Sequence, residues 1–261
     1  MDEGQGDTTL LFIHGLANYG ASWKKNIEAL SKTHRCIALD LPGNGLSGNS
    51  DQNYSISFFT KCIIDFIGRL GLKKVCLVGH SMGGQIALTV ALEAPGAVEK
   101  LILCAPAGFE TFSEMDKMFY QNSMQYMSWM SNDEFNLQQT LHSSFYRFPA
   151  GAESMIQDLV SLMKLQQGQK YRAMVDQCVQ SMVKESVFSR LKNIPHPALV
   201  LFGDMDALIP NRMLHPVSTK DIGLKGTKEM PHALLKMIPQ CGHFLHWEKA
   251  KEVNAAILEW L

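Results

Sequence analysis

A serine lies inside a short glycine-rich motif. The segment GHSMG (79–83) has the pattern G-x-S-x-G, between the apolar run VCLV (75–78) and a helical pattern that starts at Met82. A sharp strand-to-helix turn strains the serine backbone and requires very small neighbours. We therefore predict that Ser81 is a nucleophile raised above the end of a strand. The alternative is an ordinary glycine-rich turn.

A serine hydroxyl is a weak nucleophile until a base removes its proton. Nine histidines are present, and His243 alone follows an apolar run within a glycine turn near the end of the chain, in the segment PQCGH (239–243). A loop at that place can carry the imidazole over Ser81. The sequence thus predicts His243 as the general base.

Two aspartates follow the apolar run ALVLF (198–202), and either could reach His243. A carboxylate there would fix the imidazole tautomer and stabilise the imidazolium. The G-x-x-D spacing places Asp206 on the loop beyond the strand tip, whereas Asp204 directly after Gly203 favours a turn hydrogen bond. We predict Asp206 as the acid.

The oxyanion formed during attack needs two N–H donors near the nucleophile. The Met82 N–H, one position after the serine, is the first candidate. The second is the Leu16 N–H in the segment HGLA (14–17), where Gly15 permits an unusual turn. His14 is predicted to stabilise that turn rather than to take part in chemistry.

Short apolar runs alternate with helical patterns along most of the chain. The runs are continuous rather than alternating, as is typical of parallel strands buried on both faces. They occupy residues 8–13, 36–40, 75–78, 101–105, 198–202 and 234–238. This order favours the α/β class, with a mostly parallel open sheet flanked by helices and ligands at the carboxyl ends of the strands.

The alternation stops between residues 107 and 194, where several helical patterns carry aromatic residues and methionines. We predict a helical cap, residues 107–194, inserted into a core domain formed by residues 1–106 and 195–261. The cap methionines could line an adaptable apolar pocket or simply pack the cap on the core. They are Met115, Met118, Met124, Met127 and Met130. The segment 219–231, with three lysines, is predicted to be a solvated insertion.

The chain resembles the α/β-hydrolase superfamily nearly from end to end. The agreement rests on HGLANYGASW (14–23), LDLPGNGLS (39–47), GHSMGG (79–84), FGDMDALIP (202–210) and GHFLHWEKAKEV (242–253). The order Ser81, Asp206, His243 is also that of the superfamily's triad. The resemblance implies an acyl-enzyme mechanism without metal or cofactor, and a cap over the site. The superfamily usually has two strands before the first apolar run; seven residues precede Thr8, so we expect that hairpin to be either absent or truncated.

Composition narrows the classes of protein. The chain has 261 residues, of which 46% are apolar and 19% charged, so a disordered protein is excluded. The net charge of −1 provides no long-range attraction to nucleic acid or anionic lipid. No apolar run approaches the roughly 20 residues of a membrane span. The polar, acidic start lacks a secretory signal, and the six cysteines form no C-x-x-C pair, which favours a cytoplasmic protein with buried thiols.

Two weaker motifs are assigned no ligand. GNGLSG (43–48) matches G-x-G-x-x-G, but a polar loop follows it instead of the helix that a dinucleotide needs. Asp40, before this motif, is predicted to brace the turn. His243 and His246 lack a third ligand at metal-binding spacing. We therefore expect neither a cofactor nor a metal.

The sequence favours a serine hydrolase that cleaves an ester or related acyl bond of a small, apolar substrate. The same triad serves carbon–carbon bond hydrolysis of a dienoic diketone, acyl transfer and perhydrolysis, so these stay open. A ligand-binding receptor that has kept the triad is a further alternative from a different class. A small molecule is the expected partner, and the sequence leaves the oligomeric state open.

Overall fold

The protein is built around one sheet. The structure is a computed structural model that describes residues 1–48, 53–120, 134–165 and 169–261. Its strands are β1 (Asp2–Glu3), β2 (Thr9–Ile13), β3 (Arg35–Leu39), β4 (Val75–His80), β5 (Val98–Cys104), β6 (Ala198–Gly203) and β7 (Ala233–Ile238). They lie in the order β1-β3-β2-β4-β5-β6-β7, and only β1 is antiparallel to its neighbour. The predicted fold class is confirmed.

The central strands are buried because their sequences are apolar on both faces. Every residue of β2, β4 and β6 is buried. In contrast, β7 lies at the edge and alternates, with Leu234 56% exposed, so the prediction of two-sided burial is wrong for this strand. The register sets Ile13 beside Gly79 and His80 beside Cys104. The loops that follow β2, β4 and β5 therefore leave the same edge of the sheet.

The outermost strand on the side of the sheet away from β7 is the short strand β1. Two residues of β1 pair with Ile37 and Cys36 of β3. The amino group of Met1 donates to the Ala38 carbonyl at 2.8 Å, and Asp2 forms an ion pair with Arg35 at 2.7 Å. Residues 1–8 thus supply one short strand, β1.

Helices cover both faces of the sheet. Their bounds are α1 (Lys24–Leu30), α2 (Ile56–Arg69), α3 (Met82–Glu93), α4 (Glu134–Ser143), α5 (Ala152–Leu165), α6 (Gln169–Lys184), α7 (Thr219–Glu229), α8 (Leu245–Glu248) and α9 (Ala250–Trp260). The Ser55 side chain accepts from the Phe58 N–H and caps α2. None of the helices in the described ranges is long and apolar enough to cross a bilayer.

The segment between β5 and β6 is helical in its described parts. An apolar cluster joins α4 and α5 to the chain just after residue 243, and its members include Leu141, Phe145, Ile156, Phe244 and Trp247. The α6 residues Tyr171, Met174 and Cys178 pack into the main core. Met115 and Met118 are exposed, which fits neither interpretation of the methionines. Met124, Met127 and Met130 lie outside the described residues.

The prediction of a solvated insertion at residues 219–231 is wrong, because most of this segment is helix α7. Ser218 and Asp221 form a reciprocal capping box at its start. Ile222, Gly223 and Gly226 are buried, while the lysines face solvent. Glycines let this helix lie close to the sheet, and their low helix propensity hid the pattern from the sequence reading.

The six cysteines are all free thiols. Five are buried and Cys62 is half-buried. Burial raises the pKa of each of them, to about 12 for Cys36, Cys104 and Cys178. These residues act as small apolar side chains in the core.

The capping box of α7 is testable by substitution. Ser218→Ala removes the acceptor of the Asp221 N–H and should lower the free energy of unfolding by about 1 kcal/mol. Urea denaturation measures this. The exposed Lys220→Ala variant of the same helix should change stability by less than about 0.5 kcal/mol. An equally small effect of S218A would contradict the importance of the cap.

Candidate active site

Ser81 lies in a strained turn between β4 and α3. Its backbone angles are φ 53° and ψ −118°, in a region that side chains other than glycine rarely adopt. The surrounding chain holds it there: the Ser81 N–H donates to the Cys104 carbonyl at 3.0 Å, and the Ser81 carbonyl accepts from Ala107 N–H at 3.0 Å. The turn predicted from G-x-S-x-G is therefore present.

The turn at Ser81 packs against the loop that follows β2. A Cβ added to Gly15 would lie 2.8 Å from His80 Nδ1 and 3.1 Å from Ser81 Cβ. A Cβ on Gly83 would collide with the carbonyl of Ile13. Both glycines are needed for this close approach, which brings residues 14–17 to the side of Ser81.

The aspartate and histidine predicted from the sequence meet in the interior. His243 Nδ1 lies 2.8 Å from Asp206 Oδ2, and the two residues are 3% and 0% exposed. Asp206 Oδ1 accepts from the N–H groups of Leu208 at 2.8 Å and Ile209 at 3.0 Å. These donors compensate the buried carboxylate. Because Nδ1 donates to the carboxylate, Nε2 of His243 is left as the acceptor.

Asp204 makes a turn hydrogen bond, as its position directly after Gly203 predicts. Its side chain is exposed, and Oδ1 accepts from the Cys241 N–H at 3.4 Å. It therefore braces the turn before His243 and does not face the imidazole. The choice of Asp206 over Asp204 as the partner of His243 agrees with the geometry.

His80 connects the turn at Ser81 to the histidine loop. Its Nε2 donates to the carbonyl of His243 at 3.0 Å, and the two rings are 4.8 Å apart. The structure therefore brings the loops of Ser81 and His243 side by side. Within the described part of the chain, no hydrogen bond joins the Ser81 hydroxyl to His243; such bonds are often long before substrate binds.

Two backbone donors beside Ser81 have no protein acceptor. Among the described residues, the N–H groups of Leu16 and Met82 make no hydrogen bond. Leu16 follows β2, and Met82 is the first residue of α3, so its N–H belongs to the positive end of the helix dipole. Both groups are thus available to a developing negative charge.

His14 anchors the Leu16 loop. Its Nε2 accepts from the Leu41 N–H at 3.0 Å, so Nδ1 carries the proton and donates to the Gly15 carbonyl at 2.8 Å. Burial lowers the pKa of His14, which keeps the ring neutral in this arrangement. The predicted turn-stabilising role is confirmed.

Asp40 braces the turn that follows β3. Its carboxylate accepts from Gly20 N–H at 2.6 Å and Leu46 N–H at 2.8 Å, and the Ser47 hydroxyl donates to its carbonyl at 2.8 Å. Residues 43–48 form turns, and no helix begins within them. The motif GNGLSG is a loop organised by this one carboxylate.

A cluster of buried rings surrounds the site, and the sequence reading missed it. The His246 ring packs between Trp23 and His80, with ring centroids 4.2 Å and 4.4 Å away and the ring planes tilted. Neither ring nitrogen of His246 has a partner in the described structure. Burial, with a contribution from His243, lowers the pKa of His246 to about 3, and burial holds the pKa of His80 well below its usual range. The i, i+3 spacing of His243 and His246 was the one available signal.

A cavity of about 780 Å³ lies elsewhere, between β3 and α5. Tyr19, Asp40, Phe66, Asp158 and Leu162 are among the residues that line it. Neither Ser81 nor His243 contributes to its wall. The chemistry of the convergent loops is therefore separate from this cavity.

The fold and the convergence of these loops define the class. A family model described as alpha/beta hydrolase fold matches residues 8–250, and the chain belongs to this family. The superfamily inferred from the sequence motifs is thereby confirmed.

Individual relatives are distant. The chain is 28% identical over 264 residues to the dihydrolipoyllysine-residue acetyltransferase component of the acetoin cleaving system of Pseudomonas putida, covering 99% of this chain but only 64% of that protein. It is 28% identical over 280 residues to a 2-hydroxy-6-oxononadienedioate/2-hydroxy-6-oxononatrienedioate hydrolase of Burkholderia vietnamiensis (strain G4 / LMG 22486), covering 100% and 89%. A thermophilic esterase from Thermogutta terrifontis shares the fold, with a TM-score of 0.80 at 23% identity and coverage of 100% and 91%.

The buried His246 should make the protein sensitive to acid. In the unfolded chain, His246 binds a proton below about pH 6.5. In the folded protein, the His246 ring stays neutral down to about pH 3. The free energy of unfolding should therefore fall by about 1.4 kcal/mol per pH unit from this residue as the pH drops through that range. His246→Phe should remove this contribution. Urea denaturation between about pH 7 and pH 4 measures it, and a slope equal to that of the wild type would refute the assignment.

Proposed function

We propose that the protein is a serine hydrolase that cleaves an ester or related acyl bond of a small, apolar substrate. One observation supports this most: a buried Asp206–His243 hydrogen bond lies on loops packed against the strained turn of Ser81. Burying a carboxylate beside an imidazole carries a desolvation cost, and orienting a catalytic base is one function that such a pair serves. Ser81, which the sequence predicts to be the nucleophile, lies in that turn.

The proposed reaction assigns one role to each of these residues. Ser81 Oγ attacks the substrate carbonyl while His243 Nε2 takes its proton. Asp206 holds the imidazole and stabilises the imidazolium. The N–H groups of Leu16 and Met82 bind the oxyanion, a contribution of about 10²–10³ in turnover for each donor. His243 then protonates the leaving group and activates the water that releases the acid.

The helical segment, residues 107–194, is proposed to be the cap of a core formed by residues 1–106 and 195–261. Its helices α4 and α5 share an apolar cluster with Phe244, the residue next to His243. Phe145 stacks on Phe244 with ring centroids 5.1 Å apart. This buried apolar cluster lies next to the base, and we propose that an apolar acyl or leaving group contacts its edge.

A cytoplasmic location is part of the proposal. The support is chemical: all six cysteines are free thiols, and five are buried. Unpaired thiols are typical of reducing compartments. The expected partner is a small-molecule substrate.

The nucleophile is tested by Ser81→Ala. Because the hydroxyl is the attacking group, the variant should lose all measurable turnover of a p-nitrophenyl ester while its circular dichroism stays unchanged. A fluorophosphonate probe should label the wild type at Ser81, as mass spectrometry of peptides would show. Ser31→Ala, at the other end of the sheet, serves as the control and should keep full activity. Undiminished turnover in S81A would overturn the assignment, and a folded wild type that takes no label would favour a ligand-binding role.

Carbon–carbon bond hydrolysis is the second candidate. A relative at 28% identity, of which the match covers 89%, is named as a hydrolase of dienedioate compounds. The same triad serves this chemistry, so the catalytic residues cannot separate the two functions. Acyl transfer has weaker support, since the acetyltransferase component is matched over 64% of its length.

A substrate panel separates these candidates. We expect kcat/KM to be highest for an acyl ester within a series of graded chain length, and low for a dienoic diketone followed by its absorbance. The apolar cluster that contains Phe145 and Phe244 should favour longer acyl groups over acetate. Each methylene that is buried on binding contributes about 0.8 kcal/mol to the binding free energy. Higher kcat/KM for the diketone than for every ester would establish the second candidate instead.

A further inference from the structure

Glu248 lies at the end of α8 and gathers three backbone donors from two separate segments. Its Oε2 accepts from Gly242 N–H at 2.9 Å and from Tyr146 N–H at 3.1 Å, and its Oε1 accepts from Arg147 N–H at 2.8 Å. Gly242 immediately precedes His243 in the chain. One carboxylate thus bridges the turn of His243 and residues 146–147.

Further contacts join the same two segments. The His243 N–H donates to the Ser144 carbonyl at 2.8 Å. The rings of Phe145 and Phe244 stack at 5.1 Å with an interplanar angle of 25°. Residues 144–147 belong to the connection between α4 and α5. They run along residues 242–244, and the Glu248 carboxylate lies between the two segments.

The chemistry of this bridge requires a carboxylate. Hydrogen bonds to an ionised acceptor are roughly twice as strong as those between neutral groups. Three donors converge on two oxygens, and a glutamine of the same size offers one oxygen and an NH₂ group that would face a donor. An aspartate keeps the charge but is one methylene shorter and cannot reach both segments.

We propose that Glu248 is a positioning residue that fixes His243 by clamping its turn to the helical segment. The inference rests on the proposed function, because it assigns to Glu248 the placement of the proposed base. The position of α4 and α5 then sets the geometry of His243 through residues 144–147. Since an error of about 1 Å in a reacting group can cost ~10²-fold in rate, loosening the clamp slows chemistry without removing a catalytic group.

Glu248→Gln and Glu248→Asp test the clamp on the full-length chain. We expect kcat for a p-nitrophenyl ester to fall by about 10-fold to 10²-fold, with KM changed by a much smaller factor. The rate of fluorophosphonate labelling at Ser81 should fall in proportion. Hydrogen exchange should accelerate together in peptides that cover residues 142–148 and 240–244. The control is Glu252→Gln, which removes the same charge from an exposed side chain one turn further along and should match the wild type.

The outcomes separate a structural from a positioning role. Faster exchange or a lower melting temperature with unchanged kcat and labelling rate overturns the proposal, because Glu248 would then only stabilise the fold. If E248Q does not fold, E248D supplies the same comparison, since it retains the charge. A wild type that takes no label and hydrolyses no substrate overturns the proposed function itself, a result distinct from failure of the clamp alone.

Discussion

The buried hydrogen bond between Asp206 and His243 is the interaction on which the site depends. A fully buried carboxylate is tolerated only when its charge is compensated, so the loops after β6 and β7 must fit together closely. They do so through their backbones: Asp204 N–H donates to the Ile238 carbonyl at 3.1 Å, and Met205 N–H donates to the Cys241 carbonyl at 3.0 Å. The parallel register of β6 and β7, with Gly203 beside Ile238, makes these contacts available.

The strain at Ser81 has to be supported in the same way. The Ser81 N–H donates to the carbonyl at the end of β5, and the N–H of residue 107 donates to the Ser81 carbonyl. The ring of His80 joins this turn to the carbonyl of His243. Burial keeps the His80 ring neutral, and the carbonyl of His243 selects the tautomer in which Nε2 carries the proton. The turn and the base loop are therefore supported by one rigid group of side chains.

Sequence patterns predicted what continuous apolar runs and glycine spacing can specify. The strands β2 to β6, the turn at Ser81 and the roles of His14 and Asp40 all follow from local rules. Helix α7 was missed because its buried face consists of Thr219, Ile222 and two glycines. The burial of β7 was misjudged because exposure at an edge strand depends on the whole sheet. The catalytic roles of Ser81, Asp206, His243, Leu16 and Met82 stay predictions. Glu248 left no local signal, since its three donors come from distant backbone.

The burial of the thiols has a consequence for chemical selectivity. Their raised pKa values leave almost no thiolate at neutral pH, and the thiolate is the form that reacts with electrophiles and oxidants. Alkylating agents should therefore react slowly with the five buried cysteines in the folded chain. A covalent modifier that reacts quickly has found either the half-buried Cys62 or some group other than cysteine.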